Sequence, residues 1–356
     1  MIDKINNKIK SFYSFTGIEF GLVRILYCVL YYSIYSLPFK TGLGSVPEYL
    51  YAPNSSSIAY YLIPSIPDEF LFLALNVIGT IAFVCILFGC KPILIDATFN
   101  ANKKAKQVVV FCHGYKGFKD WGPFNKIATR FAEQDIVFVK FNFSYNGTTI
   151  DDPSNFGDLK AFGNNNFCKE LDDLGLVLDW IENCKELKGE VDSSKISLFG
   201  HSRGGSIAML KTAEDRRVAK IIAWASPSNF LDRLPKGEKL EKWREMDIAY
   251  IYNGRTKQNM PMYFQFYENC ISNTERLNIQ NAVEKINIPH LVVHGSEDPT
   301  VVLAEAKNIK SWNTNTQLHI IDGANHVLGG FHPYDLEEFP SNLQEAIDVT
   351  LDFLKG

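Results

Sequence analysis

The sequence predicts an α/β protein with a doubly wound, mostly parallel sheet and an inserted helical cap, preceded by an N-terminal membrane helical hairpin. Three observations lead to this prediction. From residue 92 onward, short apolar runs alternate with stretches of helical spacing, which is typical of a parallel sheet covered on both faces. Residues 1–91 carry only 11 charged side chains, whereas residues 92–356 carry 65. Residues 227–288 interrupt the alternation.

Composition excludes several functional classes. The net charge of −4 leaves no basic surface for nucleic acid, so we expect no nucleic-acid partner. The seven cysteines contain no C-x-x-C pair, which argues against a disulfide framework and against a zinc ribbon. There is also no H-E-x-x-H motif. We therefore expect neither a metal nor a cofactor.

Residues 1–91 are predicted to form a membrane segment separate from the domain at 92–356. Residues 70–89 contain no charge and are long enough to cross the hydrocarbon core, although a buried core helix remains an alternative. Residues 20–37 form a weaker span, which a signal-anchor or an interfacial helix would also explain. The loop between them has one basic residue, and lysines flank the pair. This bias predicts a membrane localisation with both ends cytoplasmic, and membrane lipid as a partner.

The domain at 92–356 is predicted to contain at least six strands and three helices. The strands are expected at 107–114, 135–143, 195–200, 219–226, 289–295 and 316–322, and the helices at 169–184, 206–215 and 343–355. The interval 227–288 is too long for an ordinary connection and rich in aromatic residues. We therefore predict that it forms an inserted helical cap.

The strongest chemical signal is the run Gly200-His201-Ser202-Arg203-Gly204, which lies between a predicted strand and an apolar helix. A nucleophile on a sharp strand-to-helix turn needs strained backbone angles and small residues two positions before and after it. Gly200 and Gly204 meet that need. The run therefore predicts a nucleophile elbow, with Ser202 as the nucleophile.

A serine hydroxyl needs a base, and the base needs an acid that orients it. In this topology the acid should follow the serine in the chain and stand just past a strand. The strand at 289–295 is followed by Ser296-Glu297-Asp298, and Asp298 is the predicted acid, with Glu297 as the alternative.

Three histidines follow the predicted acid. His319 lies inside a predicted strand, which fixes its side chain to one face of the sheet. His326 lies in the loop after that strand, on the edge expected for Ser202, and is the predicted base. His332 is the reserve candidate.

The oxyanion of a tetrahedral intermediate needs preorganised backbone N–H donors. One should be the amide of Arg203, directly after the nucleophile. The other should come from the loop after the strand at 107–114, where the flanking glycines point to the amide of Tyr115.

Residues from about 91 to 356 resemble the α/β-hydrolase superfamily. The run HGYKGFKDWGPF is similar to bacterial hydrolases near the dienelactone-hydrolase and serine-aminopeptidase-like groups. The resemblance implies the same triad and the same oxyanion donors. Dienelactone hydrolases use a cysteine nucleophile, whereas this chain has Ser202, so their specific activity is not expected. Residues 1–90 resemble, more faintly, the opening helices of the DoxX and HTTM membrane families.

These features predict a serine hydrolase that cleaves a carboxylic ester, a thioester or an amide through an acyl-enzyme intermediate. We expect a carboxylesterase-like or acyl-hydrolase activity on a small-molecule or short peptide substrate. A serine peptidase of the aminopeptidase type is an alternative, with Glu268 or Glu275 available to hold a substrate amine. An alternative of another class is a membrane-tethered binding protein whose hydrolase fold is catalytically idle.

Overall fold

The computed structural model describes residues 91–356, of which Ile93–Gly356 form one compact unit. The predicted membrane spans at 20–37 and 70–89 lie outside the described residues, as does the stretch that resembles the DoxX and HTTM families. In the described part, none of the helices combines the length and apolar character needed to cross a bilayer.

A seven-stranded sheet forms the centre of the unit. Numbered in chain order, its strands are β1 (Leu94–Thr98), β2 (Lys106–Cys112), β3 (Val137–Asn142), β4 (Val191–His201), β5 (Val218–Trp224), β8 (His290–Gly295) and β9 (Thr316–Ile321), and a separate hairpin contains β6 (Ile248–Asn253) and β7 (Gln258–Tyr263). The strands of the sheet lie in the order β1-β3-β2-β4-β5-β8-β9. Only the edge strand β1 runs antiparallel to its neighbour, and the other pairs are parallel. The predicted mostly parallel α/β sheet is confirmed.

Helices cover both faces of this sheet. The helices of the unit are α1 (Phe124–Ala132), α2 (Leu159–Gly163), α3 (Phe167–Asn183), α4 (Arg203–Glu214), α5 (Glu238–Met246), α6 (Gln265–Ser272), α7 (Ile279–Lys285), α8 (Leu303–Trp312) and α9 (Ser341–Lys355). Side chains of α3, α4 and α8 pack into one apolar core, and those of α1 and α9 into the other.

The strand β2 shows why the sequence folds in this way. Its last five residues, VVVFC, are apolar, and successive side chains point to opposite faces of a sheet. Val108 and Val110 join the core under α3 and α4, whereas Val109 and Phe111 join the core under α1 and α9, with no exposure for any of the four. A strand buried on both sides explains the continuous apolar run in the sequence.

The insertion between β5 and β8 is not purely helical, so the prediction of a helical cap at 227–288 is wrong in its secondary structure. It contains α5, α6 and α7, and also an antiparallel hairpin of β6 (Ile248–Asn253) and β7 (Gln258–Tyr263). The four residues 254–257, which begin with Gly254, form the turn of this hairpin between Asn253 and Gln258. A loop of three to five residues that contains glycine, between two strand-like runs, is a hairpin signal that could have predicted it.

Candidate active site

The candidate site lies where the strand order of the sheet reverses. After β2 the chain continues to β3 on one side, and it returns to form β4 on the other side. Open parallel sheets bind ligands outside the carboxyl ends of their strands at such a switch point. Here the loop that follows β2 begins with His113 and Gly114, and β4 ends immediately before Ser202.

Ser202 occupies a sharp turn between β4 and α4. Its backbone has φ 56° and ψ −127°, a conformation that residues with a side chain rarely adopt. Strain of this kind costs roughly 1–3 kcal/mol and persists only where the surroundings enforce it. Here the amide of Ser202 donates to the carbonyl of Trp224 on β5 over 2.8 Å, which holds the turn against the sheet.

Gly200 and Gly204 are required by close backbone approach. A Cβ on Gly200 would lie 2.3 Å from the backbone carbonyl carbon of Gly204. A Cβ on Gly204 would lie 2.1 Å from the carbonyl oxygen of Cys112 at the end of β2. Both are backbone contacts, which cannot move aside as a flexible side chain can. The turn therefore has the geometry that the sequence predicted for a nucleophile elbow.

The structure brings Ser202, His326 and Asp298 together in one hydrogen-bonded chain. Ser202 Oγ lies 3.1 Å from His326 Nε2, and His326 Nδ1 lies 2.7 Å from Asp298 Oδ2. Because an ionised carboxylate only accepts hydrogen bonds, His326 Nδ1 donates to Asp298, which leaves Nε2 to accept the serine proton. Glu297, the alternative acid, has an exposed side chain.

The loop after β8 stabilises the ionised form of the Asp298 carboxyl group, which can then accept hydrogen bonds. Its Oδ1 accepts hydrogen bonds from the amides of Thr300 and Val301, at 2.8 and 2.9 Å. Burial alone would raise the pKa of Asp298, but the hydrogen bonds from His326, Val301 and Thr300 hold that pKa below its usual value. Asp298 is thus charged at neutral pH while only 5% exposed.

The two other candidate histidines are engaged elsewhere. His319 Nε2 lies 2.7 Å from Glu345 Oε1 on α9. His332 Nδ1 accepts a hydrogen bond of 3.0 Å from the amide of Gly122, and its ring stacks with Trp121. Only His326 bridges the serine and the acid.

The loop after β2 passes directly beside the serine. A Cβ on Gly114 would lie 3.1 Å from Ser202 Cβ, so the next residue, Tyr115, begins its backbone close to Ser202. A turn closed by the amide of Gly117 and the carbonyl of Gly114, at 3.0 Å, fixes this backbone. Arg203 is the first residue of α4, and the first amides of a helix have no partner within it. The two predicted oxyanion donors therefore directly follow Gly114 and Ser202, two residues that lie side by side.

The side chain of Arg203 is a feature of the site that sequence reasoning missed. Its Nη1 lies 3.2 Å from Glu170 Oε1 on α3, and its guanidinium packs 4.1 Å from the ring centroid of Tyr115. Burial raises the pKa of Glu170, while Arg203 and Asn165 oppose that rise. Glu170 and Arg203 are 33 positions apart in the chain, and nothing in the local sequence marks the pair.

His201 is a second residue that sequence reasoning missed. Its Nε2 donates to the carbonyl of His326 over 2.8 Å, which connects the loop of His326 to β4, the strand directly before Ser202. Burial lowers the pKa of His201 to about 3, so the ring is neutral and can serve as a fixed donor. Within residues 91–356, no three His, Cys, Asp or Glu side chains are grouped closely enough to hold a metal ion.

Solved structures of similar fold identify the architecture. Est1E from Butyrivibrio proteoclasticus, with ferulic acid bound, aligns with a TM-score of 0.57 at 17% identity, covering 74% of this chain and 96% of that chain. The α/β hydrolase GrgF from Penicillium sp. sh18 aligns with a TM-score of 0.55 at 18% identity, covering 74% and 94%. The described part of the chain has the α/β-hydrolase fold. Neither a family model nor a curated protein matches the sequence.

The hydrolase fold gives these contacts a consistent topology. Ser202 follows β4, Asp298 follows β8 and His326 follows β9, all at the carboxyl edge of the sheet. This order of nucleophile, acid and base is the one expected for a hydrolase with a nucleophile elbow. Because a fold alone does not determine function, the reaction that this chain can catalyse depends on the residues of the site.

Proposed function

We propose that the chain is a serine hydrolase that cleaves a carboxylic ester, a thioester or an amide through an acyl-enzyme intermediate, with esterase-like activity. One observation carries the proposal. A serine held at a positive φ lies 3.1 Å from an imidazole, which in turn lies 2.7 Å from a buried carboxylate. A binding protein would have no physical reason to keep this strained serine in contact with a base.

The proposed reaction uses the contacts already described. Ser202 Oγ attacks the substrate carbonyl carbon while His326 Nε2 takes its proton, and Asp298 stabilises the imidazolium that forms. The amides of Tyr115 and Arg203 donate to the oxyanion. His326 then gives the proton to the leaving alcohol, thiol or amine, and the acyl group remains on Ser202. Water, deprotonated by His326, attacks the acyl-enzyme and releases the acid.

An ester substrate is favoured over a peptide. An aminopeptidase needs an acidic residue at the site to hold the substrate amine, and the two candidates from the sequence, Glu268 and Glu275, are both exposed on the insertion. The side chains next to Arg203 are mainly aromatic, which suits an apolar acyl or alcohol group. The neighbour Est1E, solved with ferulic acid bound, is in keeping with an ester of a carboxylic acid.

The test of the proposal is labelling by a fluorophosphonate probe, which reacts with activated serines. We expect the wild-type chain to be labelled and Ser202→Ala to lose labelling entirely, along with at least about 10³-fold of the rate of ester hydrolysis. Ser194→Ala, which removes an exposed hydroxyl at the far end of β4, is the matched control and should label like wild type. A folded wild-type chain that the probe does not label would end the proposal.

We also propose that residues 20–37 and 70–89 anchor the hydrolase domain to the cytoplasmic side of a membrane. The support is the uncharged stretch at 70–89 and the placement of lysines outside the pair of spans. Extraction from membranes tests this anchor.

A further inference from the structure

A small cavity lies at the side chains of Arg203 and Tyr115, the two residues whose amides are the proposed oxyanion donors. Its volume is about 10 Å³, which is close to the room that one water-sized group needs. Asn165 and four apolar residues complete the lining. These four are Phe162, Pro261, Met262 and Phe266, from α2, β7 and α6. The cavity is therefore lined both by residues of the insertion and by the two residues of the proposed oxyanion hole.

Two residues that line this cavity have a polar atom without a partner. Within the described residues, Tyr115 Oη and Asn165 Oδ1 are buried and make no hydrogen bond. The same holds for Oε2 of Glu170, whose Oε1 accepts from Asn165 and Arg203. Leaving a buried polar group unpaired costs roughly 1–3 kcal/mol. The amide of Asn165 is already oriented, because its Nδ2 donates to Glu170 Oε1 over 2.7 Å. Its oxygen is thus left as a free acceptor.

The charges around the cavity favour a neutral ligand. Arg203 is paired with Glu170 at 3.2 Å, so the cation in the wall already has its counterion. A substrate carboxylate would meet Glu170 and the acceptor oxygen of Asn165, and a substrate ammonium would meet Arg203. A hydroxyl group would satisfy both unpartnered atoms, because it can donate to Asn165 Oδ1 and accept from Tyr115 Oη at the same time.

We propose that this cavity is a subsite for a neutral hydroxyl group of the substrate, bound between Tyr115 Oη and Asn165 Oδ1. The subsite rests on the proposed serine-hydrolase function and narrows its substrate class to esters that carry a hydroxyl within reach of the scissile carbonyl. The subsite would select such esters over aliphatic ones, because a methyl group in the cavity leaves both polar atoms unpaired.

The test compares matched esters on the full-length chain. One series consists of 4-nitrophenyl esters whose acyl chains, of increasing length, end in a hydroxyl, a methyl, a carboxylate or an ammonium group. A second series of acetate esters carries the same end groups on the alcohol. At the best chain length we expect kcat/KM for the hydroxyl ester to exceed that for its methyl partner by about tenfold, as one well-made hydrogen bond allows. Tyr115→Phe should lower this ratio towards one.

Two further variants complete the design. Asn165→Leu removes the acceptor and should lower the ratio as well, whereas Tyr250→Phe removes an exposed hydroxyl of the hairpin and should leave the ratio as in wild type. A wild-type chain that labels at Ser202 and cleaves esters, but shows a ratio near one in both series, would overturn the subsite and leave the hydrolase proposal standing. A preference for the carboxylate or the ammonium ester would also overturn it. A chain that neither labels nor cleaves would overturn both.

Discussion

Three histidines, His113, His201 and His294, each contact one loop of the candidate site. His113 Nδ1 lies 2.9 Å from the carbonyl of Gly114, at the start of the loop that carries Tyr115. His201 Nε2 lies 2.8 Å from the carbonyl of His326, and His294 Nε2 lies 2.7 Å from the carbonyl of Val301 in the loop that carries Asp298.

A carbonyl oxygen only accepts, so each of these three rings donates to it. Burial lowers the pKa of His113 to about 4 and that of His201 to about 3, and it lowers the pKa of His294 as well. These rings stay neutral where a buried charge would be costly. His326 is hydrogen-bonded to Ser202, whereas these three rings donate to backbone carbonyls.

Asp173 on α3 should make the stability of the protein depend on pH. Its carboxylate accepts hydrogen bonds from the amide and the hydroxyl of Ser144, at 2.7 and 2.9 Å, while burial raises its pKa to about 7. The unfolded chain loses this proton near pH 4. Between about pH 4 and pH 7 the folded state therefore holds a proton that the unfolded chain has lost. The stability of the folded protein falls as the pH rises through this range.

Asp173→Asn removes this titration and keeps a partner for Ser144. Relative to wild type, the free energy of unfolding of the variant should rise by about 1 kcal/mol between roughly pH 6 and pH 8, measured by urea denaturation. Asp172→Asn is the matched control, because Asp172 is largely exposed, and its effect should be the same at both pH values. An equal effect of Asp173→Asn at both pH values would show that Asp173 is ionised throughout.

At the scale of elements, four charges join the edge strand to the loop after β2. Lys119 and Lys140 each contact both Asp96 and Asp120. Asp96 belongs to β1, Lys140 belongs to β3, and the other two precede α1. Both lysines are nearly buried, with side-chain exposures of 7% and 3%. The alternating signs therefore connect β1 and β3 to the loop that carries Tyr115.

Lys140→Met should destabilise the protein by about 3 kcal/mol, because two carboxylates would be left to share one lysine. The measurement is the midpoint of urea unfolding. A double variant, Lys140→Met with Asp120→Leu, restores the balance between Lys119 and Asp96. It should be more stable than the single variant, with a coupling energy of at least about 1 kcal/mol. Additive effects of the two substitutions would mean that the four charges do not act as a unit.

The elements that the sequence predicts well are those whose own residues decide their structure. The central strands are apolar on both faces, so a local pattern located them, and the elbow needs small residues at fixed positions. Strand β1 (LIDAT) was not predicted from the sequence, because it is short, only partly buried and lies antiparallel at the edge of the sheet. Strand β7 contains Pro261, which speaks against a strand when only the sequence is read.

Contacts between distant residues could not be predicted in the same way. The pair of Arg203 and Glu170, and the bond from His201 to the carbonyl of His326, join positions that only the folded sheet brings together. That Ser202, Asp298 and His326 meet was predictable, because chain order and strand ends restrict which carboxylate and which imidazole can lie beside this serine. No comparable restriction applies to the residues around these three.

Across the full chain, charged residues are distributed unevenly between residues 1–91 and residues 92–356. This difference is in keeping with the proposed membrane anchor and hydrolase domain. Residues 92–356 carry 65 charged side chains, in keeping with a folded unit whose surface is in contact with water, whereas residues 1–91 carry 11. An anchored hydrolase would meet substrates at a membrane surface. The insertion exposes Tyr250 and Tyr252, each 60% accessible, on β6.

The anchor makes a prediction for the full-length chain expressed in cells. We expect it to sediment with membranes and to stay there after an alkaline carbonate wash, because the proposed span at 70–89 is uncharged and, at about 20 residues, long enough to cross the hydrocarbon core. Ile78→Asp with Ile81→Asp places two charges near the middle of the span at 70–89. Each charge costs about 2.5–3.5 kcal/mol on insertion, so this double variant should shift to the wash supernatant. Tyr51→Asp with Tyr60→Asp, in the loop between the spans, is the matched control and should remain in the pellet. Release of the wild-type chain by carbonate, with hydrolase labelling intact, would show that the active domain works without a membrane span.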